Sequence, residues 1–302
     1  MNPELTVIIC TFNRGNLLNE TIPTILRQDV SKDFYNVLIV NNNSTDNTEE
    51  IITSFTEKYK NVSTIYEPLS GVSFARNTGY KNVTTKWIVY LDDDAKAPRN
   101  FIKTAIAIAN SNEYDCFGGV YYPWYKYKKP VWFKDIYVST AECYNKIDGY
   151  KLTHASAGIM AIKRSILKEF NGFSINLGPK GIKMSYGEET HLQNRILKKG
   201  YSIGILPTWH IYHLVNKNKL RFSWFLKNGY TAGRDHWIIY DGKVTIKLLA
   251  RYLKNILTSF FKNTALLFKK NYYIQNWIAE TSRTTSLEIG RIISGIKLLV
   301  KY

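Results

Sequence analysis

Four short runs rich in β-branched apolar residues, at 5–12, 37–40, 62–66 and 86–91, each give way to a polar, turn-rich stretch and then to a helical pattern such as 17–28, 47–59 or 98–110. That alternation leaves few architectures open. It predicts an α/β chain with a mixed, mostly parallel sheet flanked by helices, right-handed crossovers, and the loops that follow the strands gathered along one edge. A chain of 302 residues with 45% hydrophobic content has enough apolar surface for one large or two modest cores.

The run at 86–91 ends in Asp92, Asp93 and Asp94. In an open α/β sheet the crevice beyond the carboxyl ends of the strands is where ligands bind, which places these carboxylates at the mouth of a site. Three adjacent like charges repel unless a divalent cation or a hydroxyl-rich ligand offsets part of the charge. Oxygen ligands suit Mg²⁺ or Mn²⁺ better than zinc. The competing reading is a solvated acidic turn. Farther back, Asp46 with Glu49 three residues on marks a helix start.

Beyond residue 112 the alternation weakens, and 115–135 crowds Pro123, Trp124, Tyr125, Trp132 and Phe133 together. This is read as a seam, with aromatics that either form core or stack on a sugar ring. The expected organisation is 1–115, 116–215 and 216–302. The last segment is strongly basic: of the net charge of +17, residues 214–302 carry +12, from 16 Lys or Arg against 4 Asp or Glu. The stretch 244–268 places Leu249, Leu253, Ile256, Phe260 and Leu267 on one face with Lys247, Arg251, Lys254 and Lys262 elsewhere, and a second stripe follows at 289–299. These basic amphipathic helices suit peripheral contact with an anionic membrane, or a lid or homodimer contact. The lysines also interrupt any apolar run of about 18 residues, so a spanning helix is not expected. Cys10, Cys116 and Cys143 lie far apart with no metal-ligand spacing, which fits buried thiols in a reducing compartment. The first apolar run begins by residue 5 with no basic region before it and reads as a strand rather than a signal peptide, so the expected location is cytoplasmic.

The segments Val-Ile-Ile-Cys-Thr-Phe-Asn-Arg (7–14), Val-Leu-Ile-Val-Asn-Asn-Asn-Ser-Thr-Asp-Asn-Thr (37–48), Gly71 to Gly79 around Arg76 and Asn77, Leu-Asp-Asp-Asp (91–94), Glu188-Glu189 and then His213 stand in one order. Together they resemble the family-2 glycosyltransferases, inverting enzymes of the GT-A fold, over roughly residues 5–215. The resemblance implies that Thr11, Asn13 and Arg14 lie under a nucleotide-sugar donor. Asn41, or Asn42 if the register slips by one, stands where the family has an acidic residue that reads the base. An amide can accept from uracil N3–H and donate to a ring carbonyl, which favours a UDP- or dTDP-sugar. Arg76, Asn77, Asp92 and Asp93 complete the donor site. Asp94, Asp92 and His213 would hold Mn²⁺ or Mg²⁺. Glu189, or its neighbour Glu188, would be the catalytic base, and Trp124, Trp132 and Gly158 would border the acceptor, a glycan or lipid-linked saccharide of cell-surface polysaccharide assembly.

Two other classes fit less well. A metal-dependent nucleotidyltransferase needs a glycine-rich phosphate loop near its start, and residues 11–20 contain Gly15 alone. A basic nucleic-acid-binding protein would set the carboxylates at 92–94 and 188–189 against phosphate, so no nucleic-acid partner is expected.

Overall fold

The computed structural model describes residues 3–147, 153–180, 184–240 and 242–300. The strands are β1 (Leu5–Thr11), β2 (Tyr35–Asn41), β3 (Val62–Tyr66), β4 (Trp87–Asp92), β5 (Ala95–Lys96), β6 (Cys116–Tyr125), β7 (Ile159–Lys163) and β8 (Ile203–Val215). The helices are α1 (Gly15–Leu26), α2 (Thr48–Lys58), α3 (Val72–Lys81), α4 (Phe101–Ser111), α5 (Thr140–Lys146), α6 (Arg164–Glu169), α7 (Glu188–Lys198), α8 (Phe222–Ile239), α9 (Ile246–Leu266) and α10 (Ile274–Val300). One sheet runs in the order β3-β2-β1-β4-β7-β6-β8-β5.

Its first four strands are parallel, because each returns through a helix. β1 lies between β2 and β4 and is covered on both faces, which is why it reads as a continuous apolar run rather than an alternating one. Val7 and Ile9 pack with Leu18, Ile22 and Ile25 of α1, Ile52 of α2 and Phe101 of α4. Ile8 points the other way, among Ala75 of α3, Ile166 and Leu167 of α6, and Leu192 and Ile196 of α7. Each such side chain contributes about 1.5–3 kcal/mol by leaving water. Where the βα alternation weakens in the sequence, the pairing changes sense: β7 runs antiparallel to β4 and β6, and β5 antiparallel to β8.

Residues 1–124, 138–183 and 188–214 form one compact unit, and 125–137, 184–187 and 215–302 a second. The expected boundary at 115 falls just before β6, inside the first unit. In the second, α10 packs along α8 and α9. A Cβ on Gly233 of α8 would come within 2.0 Å of the Leu287 carbonyl oxygen of α10, so only glycine permits that approach. Buried Asp235 of α8 accepts from Ser185 Oγ at 2.8 Å and from the Tyr186 amide at 3.0 Å, within the same unit.

Candidate active site

Register brings the expected acidic cluster to the strand-exit edge. Thr11 of β1 lies opposite Asn41 of β2, and Cys10 opposite Asp92 of β4, so three parallel strands open onto one edge. The short ladder of β5 with β8 sets His213 opposite Ala95, and the Leu214 amide donates to the Asp94 carbonyl at 3.0 Å. In consequence His213 Nε2 lies 3.2 Å from Asp94 Oδ1 and 3.4 Å from Asp92 Oδ2. One ligand atom from each of the three falls within 4.8 Å of the others, close enough to share an ion. Two carboxylates match the hard-oxygen preference of a cation such as Mg²⁺ or Mn²⁺, and the imidazole nitrogen offers a third ligand atom. Gly158 makes room for this arrangement: a Cβ there would stand 2.3 Å from Asp92 Oδ2. Its approach is to the acidic cluster.

The protein's own cations temper the repulsion among the three aspartates. Arg14 Nη1 reaches Asp93 Oδ1 at 2.6 Å and Asp94 Oδ2 at 3.3 Å. The Asp93 charge holds the Arg14 guanidinium protonated well beyond its ordinary range, against the opposing effect of burial. Asp93 itself is raised, by burial and by the Asp94 charge, with Arg14 pulling the other way. Burial also favours a neutral Asp92, but the hydrogen bond and charge of His213, together with Arg76 and Arg14, outweigh it and lower its pKa.

Arg76 sits inside the site rather than on its surface. Its Nη1 pairs closely with Glu188 Oε1, and its Nη2 lies 3.7 Å from Asp92 Oδ1. Phe173 and Tyr90 flank the guanidinium with ring centroids 5.5 and 6.0 Å away. Buried Arg76 therefore links the cluster at 92–94 to the pair at the start of α7. Glu188 is 5% exposed and held by this contact, whereas Glu189 is only half-buried. The Glu189 carboxyl is raised above its ordinary value by burial and by the Glu188 charge, which Arg76 only partly offsets. Both glutamates occupy the first turn of α7, where the helix dipole favours an anion.

Several residues expected at the donor also tie loops together. Asn13, at φ 53, accepts from the Thr45 amide at 2.7 Å, and its own amide donates to Ser44 Oγ at 3.0 Å. Asn42 Nδ2 donates to the Leu69 carbonyl at 2.7 Å, and its Oδ1 accepts from the Gly71 amide at 2.8 Å. Asn77 holds Phe173 through both the amide and the carbonyl of that residue, each at 2.8 Å. Asn41 accepts from the Ser44 amide at 3.1 Å and donates to Glu49 Oε2 at 2.5 Å. Asp46 accepts from the Thr48 amide at 3.1 Å, one residue before the observed N-cap, Asn47, and Glu49 is drawn to Asn41 instead of closing a capping box.

The two tryptophans part company. Trp124 belongs to the first unit, where Lys96 Nζ stands 3.6 Å from its ring centroid. Trp132 belongs to the second, stacked on Phe222 at 4.8 Å beside Phe133 and Phe225. Sequence spacing did not reveal the pairing of Arg14 with Asp93, the link from Asn41 to Glu49, or Gln193. Buried Gln193 holds the Ala155 amide at 2.7 Å and carbonyl at 2.8 Å, three residues before Gly158.

Known proteins share this frame. The chain is 28% identical over 118 residues to the glycosyltransferase AglE of Haloferax volcanii, covering 39% of each protein. It is 21% identical over 237 residues to the glucosyl-dolichyl phosphate glucuronosyltransferase of the same organism, 76% of this chain and 75% of that one. The chain thus spans well under two thirds of AglE. The mannosyltransferase PcManGT from Pyrobaculum calidifontis, solved in complex with GDP-Man and Mn²⁺, superposes with a TM-score of 0.68 at 18% identity over 96% of this chain and 87% of that one, which shows a shared GT-A fold. The profile described as Glycosyl transferase family 2 matches residues 6–170, from β1 through the acidic cluster to the end of α6. With more than half of its length matched in this way, the chain belongs to glycosyl transferase family 2.

Proposed function

We propose that the protein transfers a sugar from a nucleoside diphosphate to an acceptor hydroxyl, with inversion at the anomeric carbon, to build a surface glycan or glycolipid. The observation that carries this reading is the convergence of Asp92, Asp94 and His213, joined through Arg76 to Glu188 and Glu189. Bound by those three side chains, Mn²⁺ or Mg²⁺ would supply positive charge to the departing diphosphate.

Glu189 takes the proton of the acceptor hydroxyl. Its raised pKa makes it a stronger base than an ordinary carboxylate, and its greater exposure leaves it open to an acceptor. Glu188, clamped by Arg76, keeps negative charge beside it. The acceptor oxygen bonds to the anomeric carbon as the bond from that carbon to the diphosphate oxygen breaks. The proton ends on Glu189 and the nucleoside diphosphate leaves, with no second, nucleophilic carboxylate required.

For the donor base, Asn41 and the Glu49 carboxylate it holds offer acceptors at the exit of β2. Uracil or thymine presents one N–H to such a group, and we assign the donor to the UDP- or dTDP-sugars on that ground. The half-buried ring of Trp124 is the candidate for stacking on the transferred or accepting sugar, whereas Trp132, equally half-buried, already has Phe222 stacked on its ring.

The test is a panel of UDP-, dTDP- and GDP-sugars, each with Mn²⁺, Mg²⁺ or chelator, read as nucleoside diphosphate released. Release from a UDP- or dTDP-sugar that chelator abolishes is the expected result. Release indifferent to chelator overturns the metal assignment, and release from GDP-sugars alone overturns the base assignment.

A further inference from the structure

Helix α9 carries an apolar stripe that its own unit does not cover. Ile246, Leu253, Leu257 and Phe261 follow one another at steps of seven, four and four and so share one face, with Phe260 at its margin and Phe268 just beyond the helix end. All are exposed: Ile246 by 81%, Leu257 by 62%, Phe261 by 69% and Phe268 by 91%. The face turned towards α10 is a different one, marked by buried Tyr252 and Asn263. Lys247, Arg251, Lys254 and Lys262 are exposed along the same helix, and Lys269 and Lys270 follow it. From Asp241 to Glu280 the sequence contains no other acidic residue. At about 1.5 Å per residue the helix is about 30 Å long, so apolar and basic ribbons run side by side over that length.

We propose that α9 is a docking helix for an anionic lipid surface, laid flat with the stripe among the acyl chains and the lysines among the headgroups. Among the described residues no helix is long and apolar enough to cross a membrane, so the contact is peripheral. Charge decides between occupants: a second copy of this chain would bring one all-basic ribbon against another, whereas anionic headgroups complement it. An amphipathic helix with this layout is an interfacial binder. The inference stands apart from the transfer reading, because lipid binding is measured without turnover.

The test is flotation of the full chain with phosphatidylcholine vesicles, with and without phosphatidylserine, at low and high salt. Binding only with phosphatidylserine, weakened by salt, is expected. Leu257→Ser with Phe261→Ser, and separately Lys247→Glu with Lys254→Glu, should each lower vesicle affinity about tenfold or more, while nucleotide binding confirms that the fold is intact. Two results overturn the proposal: equal binding by wild type and both variants, or absence of binding by the wild type. A dimer in sedimentation that the Leu257→Ser with Phe261→Ser variant dissociates, with no effect of lipid, would give the face to a second copy instead.

Discussion

At the strand-exit edge nearly every charge has a partner and the apolar residues are hidden. Along α9 both charges and apolar side chains face outward. Arg14 holds Asp93 and Asp94, Arg76 bridges Glu188 and Asp92, and His213 stands between Asp92 and Asp94, whereas Lys247, Leu257 and Phe261 lie exposed on one helix. The contrast separates two kinds of recognition. A preorganised polar site acts on a small charged ligand, since its dipoles and charges are fixed before the reaction begins. A surface exposed along its length is what the proposed contact with something large, flat and chemically repetitive requires.

Substitutions at the two regions should therefore differ sharply in effect. The largest is expected from Asp94→Ala, which removes a carboxylate from the cation set: metal-dependent release of diphosphate should fall by about a thousandfold or more in a nucleotide-release assay. Glu189→Gln should lower transfer by about 10²–10⁴-fold with donor affinity kept, as calorimetry would show. If instead Glu188→Gln loses transfer and Glu189→Gln retains it, the base is the neighbouring residue. Arg76→Met should destabilise the fold by about 3–5 kcal/mol in denaturant unfolding, because it leaves buried Glu188 uncompensated.

The pH profile sharpens the same contrast. With Glu189 in its proposed role as the base, activity should rise with pH along an acidic limb that lies above the ordinary glutamate range, as its raised pKa requires. Glu188→Gln removes the negative neighbour and frees the Arg76 charge, both of which favour ionisation of Glu189. The limb should then move to lower pH, and an unmoved limb would separate the two carboxylates electrically. The smallest effect belongs to α9: Leu257→Ser should change stability by no more than about 0.5 kcal/mol, as expected of an exposed position, whereas Ile9→Ala in the covered strand should cost about 2–5 kcal/mol.

Much of the N-terminal half was legible because local pattern and tertiary role coincide there. The run 5–12 reads as a strand because Val7, Ile8 and Ile9 are covered on both faces, and Asp92 ends β4 at the strand-exit edge, the side on which open α/β sheets place ligands. What was not legible depends on partners distant in sequence. Nothing in the spacing of Arg76 and Glu188 announces that they meet, so the arginine reads equally well as a ligand group. Asn13, Asn42 and Asn77 read as binding residues, and nothing in their spacing announces that their amides also bridge loop backbones. On α9 the period of the apolar residues was clear, but period alone does not say which side packs. Leu249, Ile256 and Leu267 lie partly buried, while Leu253 and Phe260, assigned to the same face, are exposed.

The ladder between β5 and β8 has a consequence for how the protein matures. Because side chains alternate along a strand, a slip of one residue in that pairing would turn His213 to the opposite side and break up the Asp92, Asp94 and His213 trio. The trio thus comes into being only when an early stretch of polypeptide and a late one have zipped together correctly, and contacts of such long reach form slowly. Manganese uptake would then report that the last edge of the sheet has closed. In hydrogen exchange, the same ion should slow opening around Ala95 and His213 together, leaving the far margin at β3 unchanged.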